Sequence, residues 1–175
     1  LAKENSADNF VRSKTYASKF SDLPEDHTFY ENVAALYEYG LSVGQADGTY
    51  GLTVPMTVGQ AVIFAGRIRS LYRTGDPEAG PAAFTAAAIG LKDAQRVYAP
   101  YLWYLQAEGV LDKTLDDQLS NVATRAQMAH VLANLLPETA LPPINDSLIT
   151  QAYASRRRIT DVTEYTPYYD DILKL

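Results

Sequence analysis

The residues whose types could do chemistry are few and scattered. Gly40-Leu41-Ser42-Val43-Gly44 fits the G-x-S-x-G pattern that presents a serine nucleophile. That pattern works only with a strand before the serine and a helix after it. Here an amphipathic helical pattern precedes the serine and a turn-rich stretch follows, so acyl transfer is not expected. His27 and His130 lie far apart, and neither sits in metal-ligand spacing. Asp116-Asp117 and Asp170-Asp171 are adjacent carboxylates, whereas general acid–base work needs opposed ones at a set separation. The chain contains no cysteine, which excludes thiol catalysis, thiolate zinc sites and disulfides. No phosphate-cradling or calcium-loop pattern is present. Trp103 offers a sugar-stacking ring, although its helical setting fits a core residue better. The expectation is a chain that is not an enzyme and needs no cofactor or metal.

The bulk composition narrows the class further. With 47% hydrophobic and 21% charged residues, the chain reads as globular rather than disordered. A net charge of -6 argues against nucleic acid as a partner, since such surfaces carry a basic excess. Arg156-Arg157-Arg158 is the only dense basic run. It could meet an anionic polymer, but it reads first as a solvated face or linker. No apolar run reaches the ~20 residues that span a bilayer, so membrane insertion is not expected. Residue 1 is Leu, which reads as a processed or trimmed piece.

The elements that must position any site are helical. The spacing predicts helices over 29–39, 57–72, 99–108, 124–136 and from Pro167 to Leu175, with a further short one over 145–155. Gly40 and Gly109 close the first and third as left-handed stops. Thr57 with Gln60, and Thr124 with Gln127, predict two capping boxes. Asp47-Gly48-Thr49-Tyr50 predicts a tight turn that short strands could flank. The Gly/Pro/Ala-rich stretch 74–90 and residues 137–147 read as linkers or loops.

The same unit recurs along the chain. Phe20-Ser21-Asp22-Leu23 matches Ile159-Thr160-Asp161-Val162, and Tyr30 and Tyr169 each follow their Asp by eight residues. Leu102, Leu105 and Gly109 correspond to Val33, Leu36 and Gly40. Gly40 and Gly109 lie 69 apart, and Asp22 and Asp161 lie 139 apart, a period of roughly 70 residues. The division expected is a lead-in over 1–19, units over 20–73 and 95–137, a linker or insertion over 74–94, a linker over 138–158, and the start of a third unit over 159–175. One unit has too little apolar area to fold well alone, so neighbours should share a core.

Together these motifs resemble the S-layer homology family. Its repeat opens on an aromatic or aliphatic residue, a small residue and Asp-Val/Leu. It runs through a helix ending in Gly-Ile/Leu/Val and an Asp-Gly-Thr-Phe/Tyr turn, and closes on Thr-Arg-Ala-Glu at a second helix. The chain supplies Phe20-Ser21-Asp22-Leu23, Gly40-Leu41, Asp47-Gly48-Thr49-Tyr50 and Met56-Thr57. It then supplies Gly109-Val110, Ala123-Thr124-Arg125-Ala126-Gln127 and Ile159-Thr160-Asp161-Val162. The resemblance implies an all-α fold, mainly helical with turn-rich loops, in which the units form a pseudo-threefold arrangement with grooves between them. It implies a non-catalytic module that binds a cell-wall polysaccharide, such as a pyruvylated secondary polymer, and anchors a larger protein at the bacterial cell surface.

The ligand-binding residues implied are Asp22, Gly48, Thr57, Thr124, Arg125 and Asp161. A pyruvyl ketal carries a carboxylate, and Arg125 would meet it with a guanidinium at a helix N-terminus. Asp22 and Asp161 would accept from sugar hydroxyls or hold backbone amides, and Gly48 would admit a close sugar or simply serve its turn. The departures are that Val58 and Gly59 replace Arg-Ala in the first unit, the middle unit lacks Asp-Gly-Thr, and the third stops after its first helix. They favour an alternative, a degenerate scaffold for protein–protein assembly, including a homo-oligomer through the incomplete third unit.

Overall fold

A computed structural model describes residues 3–141 and 161–175. The fold is all-α. Its helices are α1 (Tyr30–Glu38), α2 (Val58–Thr74), α3 (Ala79–Ala82), α4 (Thr85–Ala88), α5 (Asp93–Ala107), α6 (Arg125–Ala133) and α7 (Tyr169–Lys174). The flanking strands did not form. Among the described residues the only β-pairing is one isolated antiparallel bridge, Thr57 to Val122. The helix expected over 145–155, the Arg156–Arg158 run, Ile159 and Thr160 lie outside the described residues.

The local signals explain where helices start and stop. Thr57 Oγ1 accepts from the Gln60 N–H while the Thr57 N–H donates to Gln60 Oε1. Thr124 and Gln127 do the same, so both predicted capping boxes are present. After α1 the Leu36 carbonyl accepts from the Leu41 and Ser42 N–H groups at 2.9 and 3.2 Å. After α5 the Leu105 carbonyl accepts from Val110 and Leu111 at 2.9 and 3.4 Å. Gly40 and Gly109, at φ +73° and +69°, make that reversal possible. A second match joins the chain's two ends. Tyr30 donates to the His27 carbonyl and His27 to Pro24, while Tyr169 donates to Thr166 and Thr166 to Thr163.

Two helices differ from expectation at their ends. α5 begins at Asp93 rather than Ala99 and runs through Pro100. A proline reads as a first-turn residue, but here the preceding turn is held because Tyr98 lies against Gly59 of α2. α6 ends at Ala133, three residues early, where the Arg69 guanidinium takes the Leu135 carbonyl.

The main core lies where α2, α5 and α6 meet. Val58, Ala61, Val62 and Ala65 face Leu102, Leu105, Leu115 and Val131, all buried. A smaller aromatic core gathers Tyr16, Phe20, Leu23, Val33 and Ala34, with Tyr37 and Tyr50 at its edge. The stretches expected as a lead-in and as a linker or insertion are both packed against helices. The lead-in is a strap across the C-terminal ends of two helices. Asn5 and Ser6 N–H groups donate to the Arg73 and Tyr72 carbonyls, and those of Ser13 and Lys14 donate to the Glu38 carbonyl. Buried Asn9 also donates to Tyr72. The 74–94 stretch is not an open linker, because α3 and α4 pack against α2 and α5. The buried Ser70 hydroxyl ties it down by donating to the Asp76 carbonyl and accepting from the Gly80 N–H.

Candidate functional site

The segment after Phe20 is positioned by a carboxylate. Asp22 Oδ1 accepts from the Tyr50 N–H at 2.6 Å, and Oδ2 accepts from Gly51 and Leu52 at 2.8 and 3.2 Å. The Ser21 N–H donates to the Gly48 carbonyl, so Asp22 and Gly48 share one loop cluster. Within it Asp47 Oδ1 accepts from the N–H and hydroxyl of Thr49 at 3.0 and 2.7 Å. Gly48 has φ +84° and open space beyond its Cα.

The stretch after α5 carries an equivalent turn that sequence reading missed. Asp112 Oδ1 accepts from the N–H and hydroxyl of Thr114 at 2.8 and 2.6 Å. Lys113 stands where the turn after α1 has Gly48, at a backbone conformation that needs no glycine. The usable signal was Asp-x-Thr placed after the helix-stop glycine, not Asp-Gly-Thr.

The three carboxylates share a titration behaviour. The Tyr50 N–H, followed by those of Gly51 and Leu52, holds the Asp22 pKa below the ordinary carboxylate value. The Thr49 and Thr114 side chains, then their N–H groups, do the same for Asp47 and Asp112. A depressed folded-state pKa stabilises the fold above the unfolded value of about 3.9 and loses that contribution as pH falls through the folded one. Asp22→Asn is expected to lower the urea midpoint near neutral pH. The gap to wild type should narrow as pH drops below about 4, which urea titrations at a series of pH values check.

The second group of residues lies around two helix N-termini. The Thr57–Val122 bridge is reinforced by the Ala123 N–H donating to the Met56 carbonyl, so Thr57 and Thr124 sit close across it. The N-terminus of α2 is closed, because the Val58 and Gly59 N–H groups donate to the Asn121 and Leu119 carbonyls. At α6 the corresponding Arg125 and Ala126 N–H groups have no partner among the described residues. The Arg125 side chain is exposed and makes no ion pair among them. Asp161 is exposed, and no hydrogen bond or ion pair among the described residues joins it to the other five.

A groove of about 330 Å³ lies between the segment after α1 and the outer face of α2. Tyr50, Gln60, Phe64, Arg67 and Met128 line it, and none of the six sequence-derived residues does. Phe64 is half-buried and lines this groove.

A third cluster holds α7 in place. His130 Nδ1 lies 2.6 Å from Asp171 Oδ2, its Nε2 lies 3.9 Å from Asp112, and its ring stacks on Tyr168 at 4.2 Å. Trp103 is half-buried on α5. No group of His, Asp or Glu among the described residues is arranged to hold a metal, and no helix among them is long and apolar enough to cross a membrane.

Comparison with known proteins gives one match. No curated protein and no solved structure matches significantly. The stretch containing Phe20, Asp22, Gly40 and the Asp47–Thr49 turn does: residues 19–51 match the S-layer homology domain, which supports a cell-surface anchoring module in general terms.

Proposed function

We propose that the chain is a non-catalytic module that binds a cell-wall polysaccharide and thereby holds a larger protein at the bacterial cell surface. The reading treats 20–73, 95–137 and 159–175 as three related units in a pseudo-threefold arrangement. The match over 19–51 supports it. Arg125 supports the ligand chemistry, since an exposed guanidinium beside open helix N–H groups suits a carboxylate such as a pyruvyl ketal. Thr124 would set that helix start, while Asp22 and Gly48 would shape the adjoining loops rather than touch sugar. Thr57 would play the part of Thr124 in the first unit, with its α2 N–H groups already occupied. Asp161 would open the third unit as Asp22 opens the first.

The test is co-sedimentation with purified wall sacculi before and after acid removal of the attached polymer. Binding should be lost with the polymer; equal binding to stripped walls would overturn the reading. Arg125→Ala is expected to weaken binding about tenfold, the value of one charge-assisted hydrogen bond, with thermal unfolding unchanged.

A second reading, protein–protein assembly, has one specific support. Phe29, Tyr98 and Tyr168 occupy the same place, four residues before Val33, Leu102 and Ile172. Tyr98 packs on α2 at Gly59, and Tyr168 packs on His130 of α6. Phe29 is 56% exposed. Light scattering separates the readings: a dimer that Phe29→Ser dissociates favours assembly, and a monomer at all concentrations removes it.

A further inference from the structure

We propose that the N-terminal strap forms a second anion-binding face, built from Lys14 and Lys19 over the ring of Tyr37, that takes acidic sugar residues of a polymer. The inference rests on the polysaccharide reading above but uses none of the residues assigned there. Lys14 Nζ lies 5.4 Å and Lys19 Nζ 5.1 Å from the centroid of the one Tyr37 ring. Both lysines are exposed, and neither has a carboxylate partner among the described residues. The nearby acid on α1, Glu38, is already committed, with Arg12 at 3.0 Å and the Tyr16 N–H at 3.1 Å. Two ammonium groups thus lie against one ring with no carboxylate partner among the described residues, in a chain of net charge -6, and an anion at that ring would be attracted by both.

The backbone between the two lysines is held in an uncommon conformation. Ser18 holds φ +45°, a conformation that costs an ordinary residue and persists only where its surroundings enforce it. Its hydroxyl is bonded to Glu25 and to the Tyr30 hydroxyl, at 3.2 and 2.9 Å. The Tyr37 ring is held by edge contacts with Tyr16 and Phe20. The two ammonium groups already lie over the ring, so the acidic group of a sugar, rather than its C–H face, would make the contact. Carboxylate and phosphate share that chemistry.

The test uses the full chain with four probes: intact sacculi, polygalacturonate, a glycerol-phosphate teichoic acid, and neutral dextran. The wild-type chain should bind an acidic polymer but not dextran, and the arm that binds identifies the acid. The paired change Lys14→Gln and Lys19→Gln should weaken that binding about tenfold and flatten its salt dependence. Lys14→Arg with Lys19→Arg should retain it. If the Gln pair binds acidic polymer and sacculi as the wild type does, with the same salt slope, this inference alone falls. Equal binding to dextran also overturns it. If the wild-type chain binds neither sacculi nor any acidic polymer, the polysaccharide reading falls with it.

Discussion

Replacing Leu105 by Ala is expected to remove about 3 kcal/mol of stability, within the 2–5 kcal/mol range for a buried leucine that leaves a cavity. Leu105 is 0% exposed and sits among Val58, Val62, Leu115 and Val131, where α2, α5 and α6 converge. Its carbonyl also receives the reversing chain after α5, so the site cannot collapse freely onto the void. The expected fall in melting temperature is roughly 6–12 °C for a chain of this size. Leu36 is the informative control. It holds the corresponding place after α1, with the same carbonyl pattern, yet it is half-buried and borders the groove. Leu36→Ala is therefore expected to cost about 1 kcal/mol. Equal losses at the two positions, read from urea unfolding, would show that the central core is not where the stability resides.

Gly59→Ala sets two physical effects against each other. Helix propensity alone predicts a gain of up to ~1 kcal/mol, because glycine is a poor helix former. Packing predicts a loss. A Cβ at Gly59 would meet the Tyr98 ring at 2.7–2.8 Å, and one at Gly66 would meet Tyr101 at 2.9 Å. These are ring atoms seated in the α2–α5 contact, not flexible tips, so the helices must separate or the rings must tilt. Overpacking of this kind costs about 1–3 kcal/mol. The loss should win at Gly59, and the double change with Gly66→Ala should lower the melting temperature further. A stabilised Gly59→Ala, measured by calorimetry, would refute the close approach of the two helices.

What was readable in the sequence was local. The caps at Thr57 and Thr124 depend on residues three apart, and the stops at Gly40 and Gly109 on one backbone reversal, so residue type and spacing suffice. The start of α5 was misplaced because Pro100 resembles a helix opening. The preceding turn is held by Gly59, some forty positions away. The strap over 3–19 and the 74–94 stretch have no hydrophobic period. The strap is ordered by bonds to the Tyr72, Arg73 and Glu38 carbonyls, distant in sequence, and the 74–94 stretch by the Ser70 hydroxyl, which hydropathy patterning does not reveal. The candidate site divides in the same way. Asp22 was identifiable from its motif, but its three amide partners lie 28–30 residues on. The Asp112 turn was hidden because Lys113 replaced the expected glycine. The groove along α2 is assembled from segments that carry no motif of their own.

The strap also determines how a mechanical load would enter the molecule. A tether pulling from the N-terminal side would not tug directly on any helix axis. It would first strain the short row of amide bonds at the end of α2, then the pair on Glu38, before tension reached the aromatic cluster behind Phe20. Resistance to such a load would thus be graded, with an outer clasp of hydrogen bonds that yields before the central three-helix contact.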